Sequence, residues 1–116
     1  MRRVVVLPYP PSVNALYRAV KGRSILSERY REWQYEAGQI IGLQRPLPVP
    51  GEVKVTVELS PPDKRKRDID NAGFKAVLDL LVKHRVIEGD DSRYVRQITA
   101  RWVETEDECR VIVEPA

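Results

Sequence analysis

The first regular run of apolar positions is Val4-Val5-Val6-Leu7, a β-branched stretch that predicts a short buried strand. Pro8, Pro10 and Pro11 close it, because proline cannot donate to a ladder. Residues 12–24 then read as a loop exposing Asn14, Lys21, Gly22 and Arg23. Ser27 suits a helix N-cap, and Glu28 suits the positive first turn. Tyr30, Trp33, Ala37, Ile40 and Ile41 recur at helical spacing, so residues 28–43 predict an amphipathic helix. The proline-rich stretch from Arg45 to Gly51 ends it.

Val53, Val55, Val57 and Leu59 alternate with Lys54, Thr56 and Glu58, the signature of a strand with one buried face. Phe74, Val77, Leu78 and Leu81 stripe a second helix. On another of its faces Lys75, Asp79 and Lys83 are four residues apart, where they can pair. Val86 and Ile87 are expected beneath the loop Glu88-Gly89-Asp90-Asp91-Ser92. Arg96, Ile98, Ala100 and Trp102 share one face of a further strand, with Gln97, Thr99 and Arg101 on the other. A turn at residues 105–108 leads to Cys109, Val111 and Val113 in a last strand. The order β-α-β-α-β-β predicts an α/β (mixed α+β) fold, with residues 1–116 as a single domain. Two helices should pack on one side of a mixed sheet. The last two strands should form an antiparallel hairpin, because their connection is short.

Composition narrows the class. Of 116 residues, 42% are hydrophobic and 32% charged, which suits a globular domain and argues against disorder. No apolar run approaches the ~20 residues of a membrane span, so no membrane association is expected. The apolar stretch at the N-terminus stops at Pro8 and reads as a strand rather than a leader. Cys109 is the sole cysteine, which excludes a disulfide within the chain and suits a reducing, cytoplasmic compartment. The net charge of +3 is unevenly spread. The first 50 residues hold 8 basic and 3 acidic side chains, leaving 12 and 14 for the rest. That distribution admits an anionic partner without establishing one.

The chemistry concentrates in Lys64-Arg65-Lys66-Arg67-Asp68-Ile69-Asp70-Asn71. In extended backbone Asp68 and Asp70 point the same way, and two adjacent carboxylates repel unless a cation joins them. Hard oxygen donors favour Mg²⁺ or Mn²⁺, and no His/Cys cluster offers a zinc alternative. The four preceding cations would neutralise phosphates beside such a metal. On local pattern alone, Lys64 to Arg67 read equally as a solvated turn, and Asp68 or Asp70 as the cap of the second helix. Asp90-Asp91-Ser92 reads first as a turn or strand entry. Lys75 either stabilises developing negative charge or pairs with Asp79. Trp33 and Trp102 suit a core or a subunit interface. His84 falls near a helix C-terminus, where its cation is favoured.

Five stretches, in order along the chain, resemble the RusA endodeoxyribonucleases. They are Pro10-Pro11-Ser12-Val13-Asn14, Lys21-Gly22-Arg23-Ser24, Arg67-Asp68-Ile69-Asp70-Asn71, Lys75-Ala76-Val77-Leu78-Asp79-Leu80-Leu81 and Asp90-Asp91-Ser92. The resemblance implies a small α/β homodimer that binds four-way junction DNA. It implies Mg²⁺-dependent cuts in two strands of like polarity. Asp68, Asp70 and Asp91 become the metal-binding acids, with Asp70 and Lys75 catalytic. Lys64, Arg65, Lys66 and Arg67 become phosphate grips, with Asn14, Arg23 and Asn71 as further DNA contacts. One departure stands out: the family lysine lies four residues after the second aspartate, and here Phe74 holds that position with Lys75 at the fifth. Two other readings stay open, a non-catalytic basic nucleic-acid-binding module and a nuclease acting on other branched DNA.

Overall fold

The computed structural model describes residues 1–116, apart from the side chain of Asn71. Among the described residues, six strands form two sheets, accompanied by two α-helices. Strands β1 (Arg3–Leu7), β4 (Val53–Leu59), β5 (Val95–Trp102) and β6 (Cys109–Pro115) make the main sheet, in the order β1-β6-β4-β5. β6 is antiparallel to both its neighbours, whereas β4 and β5 are parallel. The predicted terminal hairpin is therefore corrected. β5 and β6 run in opposite directions but do not pair, because β4 lies between them. Residues 103–108 bridge across the end of β4, tied there by Val103 N–H to Leu59 O (2.9 Å) and Ser60 N–H to Glu108 O (3.0 Å). A short connection dictates antiparallel direction but not adjacency.

Helix α1 (Glu28–Gln44) starts at Ser27, whose hydroxyl accepts from the Tyr30 N–H at 3.0 Å. It buries Tyr30, Trp33, Ala37 and Ile41, the face its periodicity predicts. Its last residue, Gln44, supplies an amide that both donates to and accepts from the Val6 backbone, capping the free edge of β1 as a strand would. Helix α2 (Phe74–Lys83) is the crossover between β4 and β5 and buries Ala76, Val77, Leu80 and Leu81. Against these helices lie Val5, Leu7, Val53, Val55, Val57, Leu59, Cys109, Val111 and Val113, the alternate residues of three strands. On the opposite face Glu58 is buried, its carboxylate held by Arg101 at 2.7 Å. Arg96 falls at a shift of register in the β4–β5 pairing, which puts Ile98, Ala100 and Trp102 beside Val55, Val57 and Leu59.

The stretch read as a loop, residues 12–24, is more ordered than its pattern indicates. After a single 3-10 turn at Val13–Ala15, β2 (Tyr17–Val20) and β3 (Arg23–Leu26) form a separate antiparallel hairpin. Its two-residue turn places Lys21 and Gly22 at φ 50° and 76°, the geometry such hairpins need. All four residues of β2 are exposed, so no apolar alternation marks the strand. His84 also departs from expectation. It is the C-cap of α2, as its position suggests, but burial and then the Lys83 charge hold its pKa below the ordinary histidine value. Among the described residues, no helix is long and apolar enough to cross a membrane.

Candidate functional site

Residues 60–73 leave the carboxyl end of β4 and enter α2, the end of a parallel pair at which open α/β sheets bind ligands. Pro61 and Pro62 stop the ladder there. Asp68 is extended (φ −91°, ψ 135°), and Ile69–Asn71 make one 3-10 turn that packs against β5. Asp68 occupies the N-cap position of that turn yet makes no capping hydrogen bond with its side chain. The N-cap of α2 is Gly73, so neither aspartate caps the helix. Both are exposed, and neither enters an ion pair among the described residues. The side chain of Asn71, a predicted DNA contact, lies outside the described residues.

The break at Ala72 and Gly73 also bears on the position of Lys75. Helical rotation starts afresh at Phe74, so the residue count from Asp70 does not fix the direction of the lysine. Gly73 is buried under the proline segment: a Cβ there would fall 2.1 Å from Pro11 O. Two stretches 60 residues apart in sequence thereby become one wall of the site.

Lys75 pairs with Asp79, Nζ to Oδ2 at 3.4 Å. The Tyr30 hydroxyl donates to the same Oδ2 at 3.2 Å, and the Tyr17 ring meets Tyr30 edge-on at 6.3 Å. The Asp79 carboxylate is the main influence raising the Lys75 pKa, helped by Tyr17 and Asp90 and opposed by burial. Lys75 is thus a cation at neutral pH, suited to neutralising charge rather than removing a proton. Burial, then Asp79, push the Tyr30 phenol up to about 12, which keeps it a donor. Tyr30 and Asp79 were not singled out from the sequence. They are 49 residues apart, and Asp79 carried only a possible pairing with Lys75.

The loop after α2 folds back far enough for the Asp90 charge to act on Lys75. Asp91 bonds within its own loop. It accepts from the Arg93 N–H at 2.9 Å and from Arg93 Nη2 at 2.8 Å. Those bonds hold its carboxyl down to about 2. Among the described residues, no three His, Cys, Asp or Glu side chains gather as a metal cage. The donor chemistry of Asp68 and Asp70 nevertheless fits Mg²⁺, which takes one or two carboxylates and keeps much of its water. Asp91 would join them while sharing its carboxylate with Arg93.

The basic loop is not uniform. Arg65 and Arg67 both donate to Asp63 Oδ2, at 3.1 and 2.9 Å. Arg65 stays 78% exposed, whereas Arg67 is 27% exposed and lies 5.6 Å from the centre of the Tyr9 ring. Lys64 and Lys66 are exposed without ion pairs among the described residues. Asn14, on the 3-10 turn, and Arg23, on β3, are both exposed. A cleft of about 430 Å³ opens between this loop, Tyr9-Pro10 and the start of α1, with Asp68 on its wall. Arg29 of α1 also lines it. Helical periodicity places Arg29 on a polar face and gives no hint that a distant loop meets it there.

Comparison with known proteins supplies the family of the chain. Residues 8–114 match the family described as Endodeoxyribonuclease RusA. The crossover junction endodeoxyribonuclease RusA of Escherichia coli K12 is 38% identical over 82 residues, 68% of this chain and 66% of that relative. The protein of the same name from Enterobacteria phage 82 is 36% identical over 80 residues, covering 68% and 66%. That of Enterobacteria phage HK97 is 32% identical over 87 residues, covering 74% and 72%. These alignments span about two thirds of the relatives' own length. With residues 8–114 matched, the chain belongs to the RusA endodeoxyribonuclease family.

Proposed function

We propose that this chain is a crossover junction endodeoxyribonuclease, cutting four-way (Holliday) junction DNA by paired, symmetric phosphodiester hydrolysis. The observation that carries the reading is a pair of exposed carboxylates, Asp68 and Asp70, left unspent by capping and ion pairing. They stand between a basic loop and a charged lysine, in a chain of this family.

Asp68, Asp70 and Asp91 would hold Mg²⁺, with Mn²⁺ as a substitute. Such an ion supplies Lewis-acid stabilisation of phosphoryl charge and a more acidic bound water. The chain's own groups do the rest. Lys75, kept cationic by Asp79, adds positive charge where the transition state gains negative charge. Lys64, Arg65 and Lys66 grip phosphates flanking the cut. Arg67, 27% exposed, beside the Tyr9 ring and tied to Asp63, orders the loop that carries them. Asn14, Arg23 and Asn71 are further DNA contacts. Arg18, Lys21 and Arg23 give the β2–β3 hairpin three cations, so it is a natural arm against the junction. Two cuts on a two-fold substrate call for a C₂ homodimer with one site per subunit.

The test is cleavage of a synthetic four-way junction beside a linear duplex, with Mg²⁺ and with EDTA, for wild type and Asp70→Asn. Paired symmetric cuts are expected only from wild type with metal on the junction. Tight binding with no cuts under any divalent metal would refute the nuclease reading. Preferential cutting of flaps would replace the junction as substrate.

A further inference from the structure

The cleft beside Asp68 has walls from three separate parts of the chain: Tyr9 to Ser12, the first turn of α1, and the basic loop. Its volume, about 430 Å³, lies in the range of small-ligand pockets. Its walls do not resemble those of an apolar pocket, since Arg29, Arg65, Lys66 and Arg67 all reach it. Asp63 already engages Arg65 and Arg67. Arg29 and Lys66 make no ion pair among the described residues, although Glu28 and Glu32 neighbour Arg29 on its helix. Arg67 keeps a buried Nε–H without an acceptor. A buried donor left unpaired costs stability. The cleft therefore offers unspent positive charge beside the Asp68 carboxylate.

We infer that this cleft is a phosphate subsite, in which Arg29 of α1 and Lys66 of the basic loop hold a backbone phosphodiester of the DNA strand passing Asp68. The inference rests on the nuclease reading for its ligand. It adds to that reading a residue from a different element, 39 positions before Asp68. An arginine and a lysine lining one cleft can neutralise a phosphodiester, and the planar guanidinium can engage two of its oxygens. The rigid Tyr9-Pro10-Pro11 segment, seated on Gly73, fixes the third wall. A strand held there is placed against the Asp68–Asp70 turn without help from base contacts, so the subsite is indifferent to sequence.

The test is equilibrium binding of the four-way junction in EDTA across a salt series, for wild type, Arg29→Ala, Arg29→Lys and Arg31→Ala. Arg31 lies on the same helix and does not line this cleft. One lost phosphate contact lowers the slope of log K against log salt by about 0.9. Between ~0.05 and ~0.2 M salt, wild type should therefore lose about 3.5-fold more affinity than Arg29→Ala. Arg29→Lys should keep the wild-type slope, as should Arg31→Ala. An unchanged slope in Arg29→Ala overturns the subsite. So does an equal drop in Arg31→Ala, which would mark a general charge effect. Because EDTA removes cutting from the readout, the two readings fail separately. An Arg29-dependent slope in a chain that never cuts retains the subsite and sinks the nuclease. Normal junction cutting with no Arg29 effect on the slope does the reverse.

Discussion

Substituting Gly73 with alanine should disable the site through a single methyl group. An ideal Cβ at this position meets Pro11 O at 2.1 Å, Pro10 Cβ at 3.1 Å and Pro11 C at 3.2 Å. Ordinary contacts to carbon lie at roughly 3.5 Å, so about 1.4 Å of separation is missing. The nearest atom is backbone oxygen in a Pro-Pro segment with fixed φ, so no flexible side chain can yield. Left-handed backbone is not the cause, because Gly73 has a negative φ of −79° with ψ 56°. Overpacking of this kind costs about 1–3 kcal/mol, less ~0.4–1 kcal/mol gained by stiffening the unfolded chain. A net loss of about 1–2 kcal/mol should lower Tm by roughly 4–10 °C in a domain of this size. Cutting should suffer more than folding. A displacement of ~1 Å at a reacting centre can cost about 10²-fold in rate, and Gly73 joins the acidic turn to the helix carrying Lys75. The assay is single-turnover junction cleavage with thermal melts of the same preparations. Gly42→Ala is the control, since nothing lies within 4 Å of a Cβ there. It should raise stability slightly, by ~0.5–1 kcal/mol. A Gly73→Ala protein that melts and cuts like wild type would refute the packing argument.

Two further outcomes are expected. Tyr30→Phe removes the hydroxyl that donates to Asp79 Oδ2 and should slow cutting roughly 2–10-fold at unchanged DNA affinity. In a Lys75→Ala background the same change should have no further effect on rate, and full additivity would mean that Tyr30 does not act through the lysine. His84 should make the fold sensitive to mild acid. Its folded pKa lies below the ordinary 6.5, so the unfolded chain takes up the proton first. This contribution to stability is complete above about pH 6.5 and declines as pH falls toward the folded pKa. Denaturant titrations from pH 7 to pH 5 should show that decline, and His84→Asn should flatten it. An identical slope in the variant would remove His84 as its source.

What was legible in the sequence follows from which elements have two unlike faces. Val53 to Leu59 and Tyr30 to Ile41 declared themselves because one side of each meets the core. The β2–β3 hairpin did not, because Tyr17 to Val20 are exposed throughout and leave periodicity nothing to detect. The partners of β6 were hidden for another reason. Alternation at Cys109, Val111 and Val113 identifies a strand with a buried face but not the strands beside it. Within the site, Asp68 and Asp70 stood out because they are neighbours in sequence. Arg29, Tyr30 and Asp79 meet their partners only through the packing of α1 against α2 and the basic loop, and each looks like ordinary helix surface or core when read alone. The Arg93 clamp on Asp91 went unread, since an aspartate two residues before an arginine need not bond to it.

The place of β6 has a consequence for how the chain comes to exist as a protein. Residues 109–115 lie between residues 3–7 and 53–59, so the sheet cannot close until more than 100 residues have been made. Contacts of such long range slow folding relative to local ones. A nascent chain therefore carries β1 and β4 as unpaired edges until its last strand arrives. Cys109 opens that strand, fully buried, with burial and then Glu108 pushing its thiol up to about 12. A thiol reagent that labels it must wait for β6 to leave the sheet, which makes the sole sulfhydryl of the chain a clock for opening and assembly.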